Sequence, residues 1–214
     1  MKFPFFASFI ILILVIRHAI NRDEKTEAKT EEAFWKKEEE SNEVRKKSLE
    51  QLNYFSFSAL ALSPGKLLTP VCSQKLIANS RIGEIMERLF YLEKTKIVNL
   101  NYITNTELKA TYGVANLPAL TEYDQHYTEL ITLLQEYASL LAQDGYILPA
   151  LTVLNTAISA GTDISASYSL AASIYKEQGQ TEKIQELIHK AMALNSPRKD
   201  AIVRMLHTID PDNG

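Results

Sequence analysis

The sequence predicts an all-α fold, and three observations carry that prediction. Apolar residues recur at helical spacing over most of the chain after residue 80. Only seven Gly and seven Pro occur among 214 residues, too few for a turn-rich all-β architecture. Two stretches near the C-terminus repeat with a period of 34 residues. Gly145 recurs as Gly179 and Ala157 as Ala191, while Leu134 aligns with Tyr168, Tyr137 with Ala171 and Leu141 with Tyr175. Ala150 likewise aligns with Ile184, Leu154 with Ile188 and Ile158 with Met192.

Residues 3–16 form an uncharged apolar run, and extension to Ile20 brings its helical length to about 27 Å, close to a bilayer core of roughly 30 Å. No small-x-small cleavage pattern follows, so residues 1–20 read as a retained, single-pass transmembrane helix rather than a signal peptide. Arg17, Arg22, Lys25 and Lys29 outnumber Lys2, which favours a cytoplasmic C-terminal domain; the exported orientation is the alternative.

Residues 21–53 are dominated by Glu, Lys and Arg and read as a charged helical stalk. Glu32–Lys36 and Glu43–Lys47 are i, i+4 pairs in the favourable order. Residues 54–214 read as one helical domain. Its first part, 54–79, reads as irregular, with Ser63-Pro64-Gly65-Lys66 as a turn. Ser80 precedes a stripe of Ile82, Ile85, Met86, Leu89 and Phe90. Residues 96–100 have strand-like composition with no evident partner, and Thr104 with Glu107 makes a capping box for a short helix ending at Gly113.

A long helix follows from Pro118 to Gln143, with Leu120, Tyr123, Tyr127, Leu130, Leu134, Tyr137 and Leu141 on one face. Three more helices are expected at about 146–160, 164–178 and 181–194, the second of these capped by Thr162-Asp163. A last one, about 197–208, has the polar character of a solenoid cap.

The 34-residue helix–turn–helix unit resembles the tetratricopeptide repeat (TPR), with units at 131–164 and 165–198. The fourth position is filled by Leu134 and Tyr168, the eighth by Ala138 and Ala172, and the fifteenth by Gly145 and Gly179. Ala157 and Ala191 fit the twenty-seventh position, but Ile184 departs from the usual Ala at the twentieth. The resemblance implies a concave surface lined by the first helix of each unit. By position this comprises Thr132, Gln135, Glu136, Ser139 and Gln143, then Ala166, Ser169, Ser173, Lys176 and Glu177. Lys176 is the one basic residue there, so the set does not match the clamp that some family members use on a C-terminal carboxylate.

The net charge of −3 excludes a global basic signature for nucleic acid. Cys72 is alone, so no internal disulfide forms. Glu122 and His126 stand four apart without a third ligand, which argues against a metal site. No dinucleotide, phosphate-loop or nucleophile-elbow motif occurs, so no catalytic residue, cofactor or small-molecule ligand is expected. The expected function is that of a membrane-anchored TPR-like scaffold recruiting a protein partner. The alternatives are an exported accessory subunit in envelope folding or assembly, a structural subunit of a membrane complex, and an enzyme with a TPR-like appendage, which an unexplained cavity lined by Tyr102, Tyr112 and Asn105 would favour.

Overall fold

The computed structural model describes residues 29–57 and 80–210. These residues are helical, with an isolated antiparallel bridge between Tyr54 and Val98 in place of any strand. The helices are α1 (29–42), α2 (Ser80–Leu92), α3 (Asn105–Tyr112), α4 (Leu117–Gln143), α5 (Ile147–Ser159), α6 (Ser165–Glu177), α7 (Thr181–Met192) and α8 (Lys199–Ile209). A short 3-10 turn, Val114–Asn116, leads into α4.

The transmembrane helix expected over residues 1–20 is corrected. Among the described residues no helix is long and apolar enough to cross a membrane, and residues 1–20 lie outside them. Among the described helices α4 has the length, at 27 residues, but Glu122, Asp124, Glu129 and Glu136 interrupt its apolar surface. The single-pass membrane localisation and the cytoplasmic orientation assigned with it are corrected on the same ground. Cys72 and the Ser63–Lys66 turn also lie outside the described residues.

The chain divides into two compact units. The described part of the first comprises 29–48 and 104–117. Here the continuous stalk helix is not formed: α1 ends at residue 42. The following segment spends its backbone groups elsewhere. Lys47 N–H donates to Tyr112 O (3.0 Å), and Asn116 Nδ2 donates to Lys47 O (2.8 Å) and Tyr112 O (2.7 Å). Tertiary hydrogen bonds thus override helical propensity.

Helix α3 begins with the expected capping box, Thr104 with Glu107, and ends at Gly113. Gly113 has φ +88°, and a Cβ there would lie 2.5 Å from Arg45 O, so both conformation and space demand glycine. Lys109 is buried and pairs with Glu38, while Thr106 Oγ1 donates to Glu38 Oε2 (2.7 Å). These two donors hold the Glu38 carboxyl below its ordinary range, Lys109 contributing most.

The described part of the second unit comprises 49–57, 80–103 and 118–210. Its core holds Ile82, Ile85 and Leu89 of α2, the Leu130, Leu134, Tyr137 and Leu141 stripe of α4, and the small Ala138, Ala157, Ala172 and Ala191. All these alanines are fully buried, where close helix approach leaves no room for larger groups. Of the period-related pairs, Leu134/Tyr168, Tyr137/Ala171, Leu141/Tyr175, Ala150/Ile184 and Leu154/Ile188 are buried at both members. Met192 departs from its partner Ile158: it ends α7 and is exposed. Phe90 departs as well, being exposed while Leu92 takes the core position.

Pro149 sits in the first turn of α5, where its missing N–H costs nothing. Gly145 (φ +83°) and Gly179 (φ +70°) terminate the helices before α5 and α7. Helix α6 packs on α5 and α7, and α8 packs on both α6 and α7. That double contact is the position a further first helix takes in a stacked array. The strand-like residues 96–100 find their partner in the Tyr54–Phe55 segment, where Phe55 N–H donates to Ile97 O (2.9 Å).

Candidate functional site

The expected groove residues fall into three groups. Thr132 is exposed on α4, its hydroxyl turned back to Thr128 O (2.8 Å). Gln135 and Ser139 are consumed by a bridge between helices: Gln135 Nε2 donates to Ser139 Oγ (3.0 Å), and Ser167 Oγ donates to Gln135 Oε1 (2.6 Å). Glu136 receives both arms of Arg81 at 2.6 Å each, and Arg88 makes a similar fork to Glu129 at 2.7 and 2.9 Å. Arg81 lowers the Glu136 carboxyl and is itself raised by Glu136 and Glu84, so this pair stays ionised.

On α6, Ser169 and Ser173 are half-buried and Ala166 and Glu177 exposed. Lys176 Nζ donates to Ile209 O at the end of α8 (2.5 Å). Gln143 closes α4, exposed. The structure therefore joins the two first helices through Gln135 and Ser167, and turns Lys176 to a structural use.

Thr132 and Glu136 do line a cleft of about 380 Å³. The rest of its wall is Arg81, Asp124, Gln125, Thr128, Glu129 and Leu133. Three carboxylates line it; Arg81 pairs with Glu136 and Arg88 with Glu129, so among the described residues Asp124 is the wall's carboxylate without an ion pair and the balance is weakly negative.

A second cavity, of about 280 Å³, forms where loops meet. Asn99, Asn101, Tyr102 and Ile103 line one side; Gly161, Asp163 and residues 193–196 line the other. The 96–101 segment is pinned to α4 by Val98 N–H to Tyr123 O (3.3 Å), Leu100 N–H to Asp124 Oδ1 (3.0 Å) and a His126 Nδ1 contact with Lys96 O (3.0 Å). His126 is thus engaged by the backbone of residue 96 rather than by Glu122. A turn closed by Ile103 N–H to Leu100 O (3.2 Å) then puts Tyr102 at φ +67°. That is a strained conformation for a tyrosine, of order 1–2 kcal/mol.

The strained turn delivers the Tyr102 hydroxyl to Asp163 Oδ2. Ser196 Oγ donates to the same oxygen (2.8 Å) and lies 3.1 Å from the Tyr102 hydroxyl. Bonding to the Asp163 carboxylate raises the Tyr102 phenol above its ordinary value. Close by, Tyr127 and Tyr168 are fully buried, with hydroxyls that have no partner among the described residues. Burial, then the Asp163 charge, pushes the Tyr168 phenol up to about 12 and the Tyr127 phenol higher.

Thr162-Asp163 is the cap expected for α6, but Ile164 occupies the N-cap position and Ile164 N–H donates to Thr162 Oγ1 (3.2 Å). Asp163 is left to face the cavity. A signal existed: Thr162-Asp163 and Ser196-Pro197 are equivalent under the 34-residue period. Tyr102 lies outside that period and had no such marker. Of Tyr102, Tyr112 and Asn105, only Tyr102 lines this cavity. No group of three or more metal-ligating side chains occurs among the described residues.

Comparison with protein-family models, with curated proteins and with solved structures returned no match.

Proposed function

We propose that this chain is a binding scaffold for a protein partner, received on the first-helix face of its helical hairpins. The observation that carries the reading is the cleft along α4, lined by Thr132 and Glu136 and acidic in balance. Its occupant is a basic, extended segment of another protein. Asp124, which has no ion-pair partner among the described residues, supplies the complementary charge, Glu129 and Glu136 being held by Arg88 and Arg81, and the Thr128, Thr132 and Leu133 surface supplies contact area. The TPR-like period supports the same reading, because stacked hairpins hold such a face rigid while contributing little chemistry of their own. The Arg81 and Arg88 forks fix α2 against α4 and so fix one wall of the cleft.

A photo-crosslinking residue placed at Thr132 of the full chain, in cells of the native host, tests this. The expected result is a discrete crosslinked partner that is absent when the same residue replaces Thr152, exposed on α5. The partner's crosslinked peptide should be rich in Lys or Arg. Equal labelling from both positions, or an acidic crosslinked segment, would overturn the proposal.

A further inference from the structure

The cavity at Tyr102 has a chemistry that partner binding at α4 does not use. Asp163 is the one charged side chain in its wall among the described residues, and it is 8% exposed. Ser196 Oγ accepts the Arg198 backbone N–H (3.0 Å), so its own proton is directed to Asp163. Two neutral hydroxyl donors satisfy one carboxylate oxygen, and among the described residues no cation forms an ion pair with it, Arg198 acting on the cluster only from outside the cavity wall. A buried carboxylate without a cation is costly. We propose that this cavity binds a primary alkylammonium group, with Asp163 as its counter-ion.

The geometry selects ammonium over guanidinium. A guanidinium fork uses both oxygens of a carboxylate, and Oδ2 already accepts from Tyr102 and Ser196. An ammonium is a compact centre with three donors that spread over separate acceptors. The wall offers Asp163, the Tyr102 oxygen and the amides of Asn101 and Asn195. The half-exposed Tyr102 ring adds a face for a cation. A volume of about 280 Å³ holds on the order of nine heavy atoms. That suits a lysine side chain or a small free amine.

An independent observation lies beside it. The Tyr127 hydroxyl, unpartnered and buried, stands 3.9 Å from where a Cβ on Gly161 would be, and Gly161 is part of the cavity wall. Tyr127 also lines an adjoining cavity of about 190 Å³ that shares Asn99 with the first. That hydroxyl has no accessible surface of its own, so it marks an unsatisfied polar wall behind Gly161 rather than a group in contact with the cavity. The cavity lies on loops and outside the α4 cleft, so the two proposals stand or fall separately.

Calorimetric titration of the full chain tests this with two probes, putrescine as a free amine and an acetylated, amidated lysine tripeptide as a protein-borne one. n-Pentanol is the neutral control. Saturable binding of either probe, with none of n-pentanol, is expected, and the stronger probe identifies the source. Asp163→Asn should weaken binding by roughly tenfold or more. Because Asp163 also joins loops, Asn195→Trp, at an exposed position on the rim, provides a second variant that blocks the cavity without touching the hydrogen bonds to Asp163. Equal binding by wild type and both variants, or no saturable binding of either amine, would overturn the assignment.

Discussion

Ser167 donates its hydroxyl to Gln135 across 2.6 Å, and the two residues are 32 positions apart. Ser196 and Asp163 are 33 apart, as are Lys176 and Ile209. Three side-chain hydrogen bonds thus connect points nearly 34 residues apart: Ser167 in the first turn of α6 with Gln135 of α4, the loops before α8 and α6, and the ends of α6 and α8. Helices packed side by side in the same direction produce this spacing.

Ser167→Ala should cost about 1–3 kcal/mol, because it strands the part-buried Gln135 carbonyl. A double-mutant cycle with Gln135→Met should return a coupling of about 0.5–3 kcal/mol in urea unfolding. Additive losses would mean the bond contributes nothing to stacking.

Ile184 stands where the repeat usually has alanine, and it is fully buried. The space has been built around the larger side chain. Ile184→Ala should therefore destabilise by about 2–5 kcal/mol, with the urea midpoint falling and the slope unchanged. Met192→Ala, at the exposed member of its pair, should stay within about 0.5 kcal/mol.

Gly113→Ala should be far more damaging than Gly145→Ala. Both have φ near +85°, but only at Gly113 does a Cβ meet backbone, with Arg45 O at 2.5 Å. Gly145→Ala should cost about 1–2 kcal/mol for the left-handed conformation alone. Hydrogen exchange at Lys47 should rise sharply in Gly113→Ala and remain unchanged in Gly145→Ala.

Glu38 is held below its ordinary range by Lys109 and Thr106. The folded value lies below the unfolded one, so the stabilisation is full above about pH 4.3 and fades as pH falls through the lowered folded value. Protection of the Lys47 and Gly113 amides should drop in that acid window. In Glu38→Gln the drop should vanish, with protection reduced already at neutral pH.

Much of the helical array was legible because its signals are local. Gly145, Gly179 and the Thr104–Glu107 box act within a few residues, and each helix end falls within about two positions of the one read from sequence. The end of α1 was not legible. Residues 43–48 have helical composition, and Tyr112 and Asn116, distant in sequence, draw the Lys47 backbone away. The Tyr102 cavity was hidden for the same reason. Its hydroxyl reaches Asp163 across 61 positions, from a turn that no local propensity for tyrosine would favour. Half of the groove set was spent on internal bonds, because position in a repeat does not say whether the neighbouring helix offers a donor.

The Glu38–Lys109 pair also sets a timetable for synthesis. Its partners are 71 residues apart, whereas the bonds of the array close over about one repeat. At about 5–20 residues per second, Glu38 waits roughly 4–14 s for Lys109 to be polymerised. During that wait the chain leaving the ribosome presents α1 with its acidic face unclaimed and the Phe34–Trp35 pair exposed. Any factor that binds the acidic face of residues 29–42 has that interval to do so before Lys109 claims Glu38.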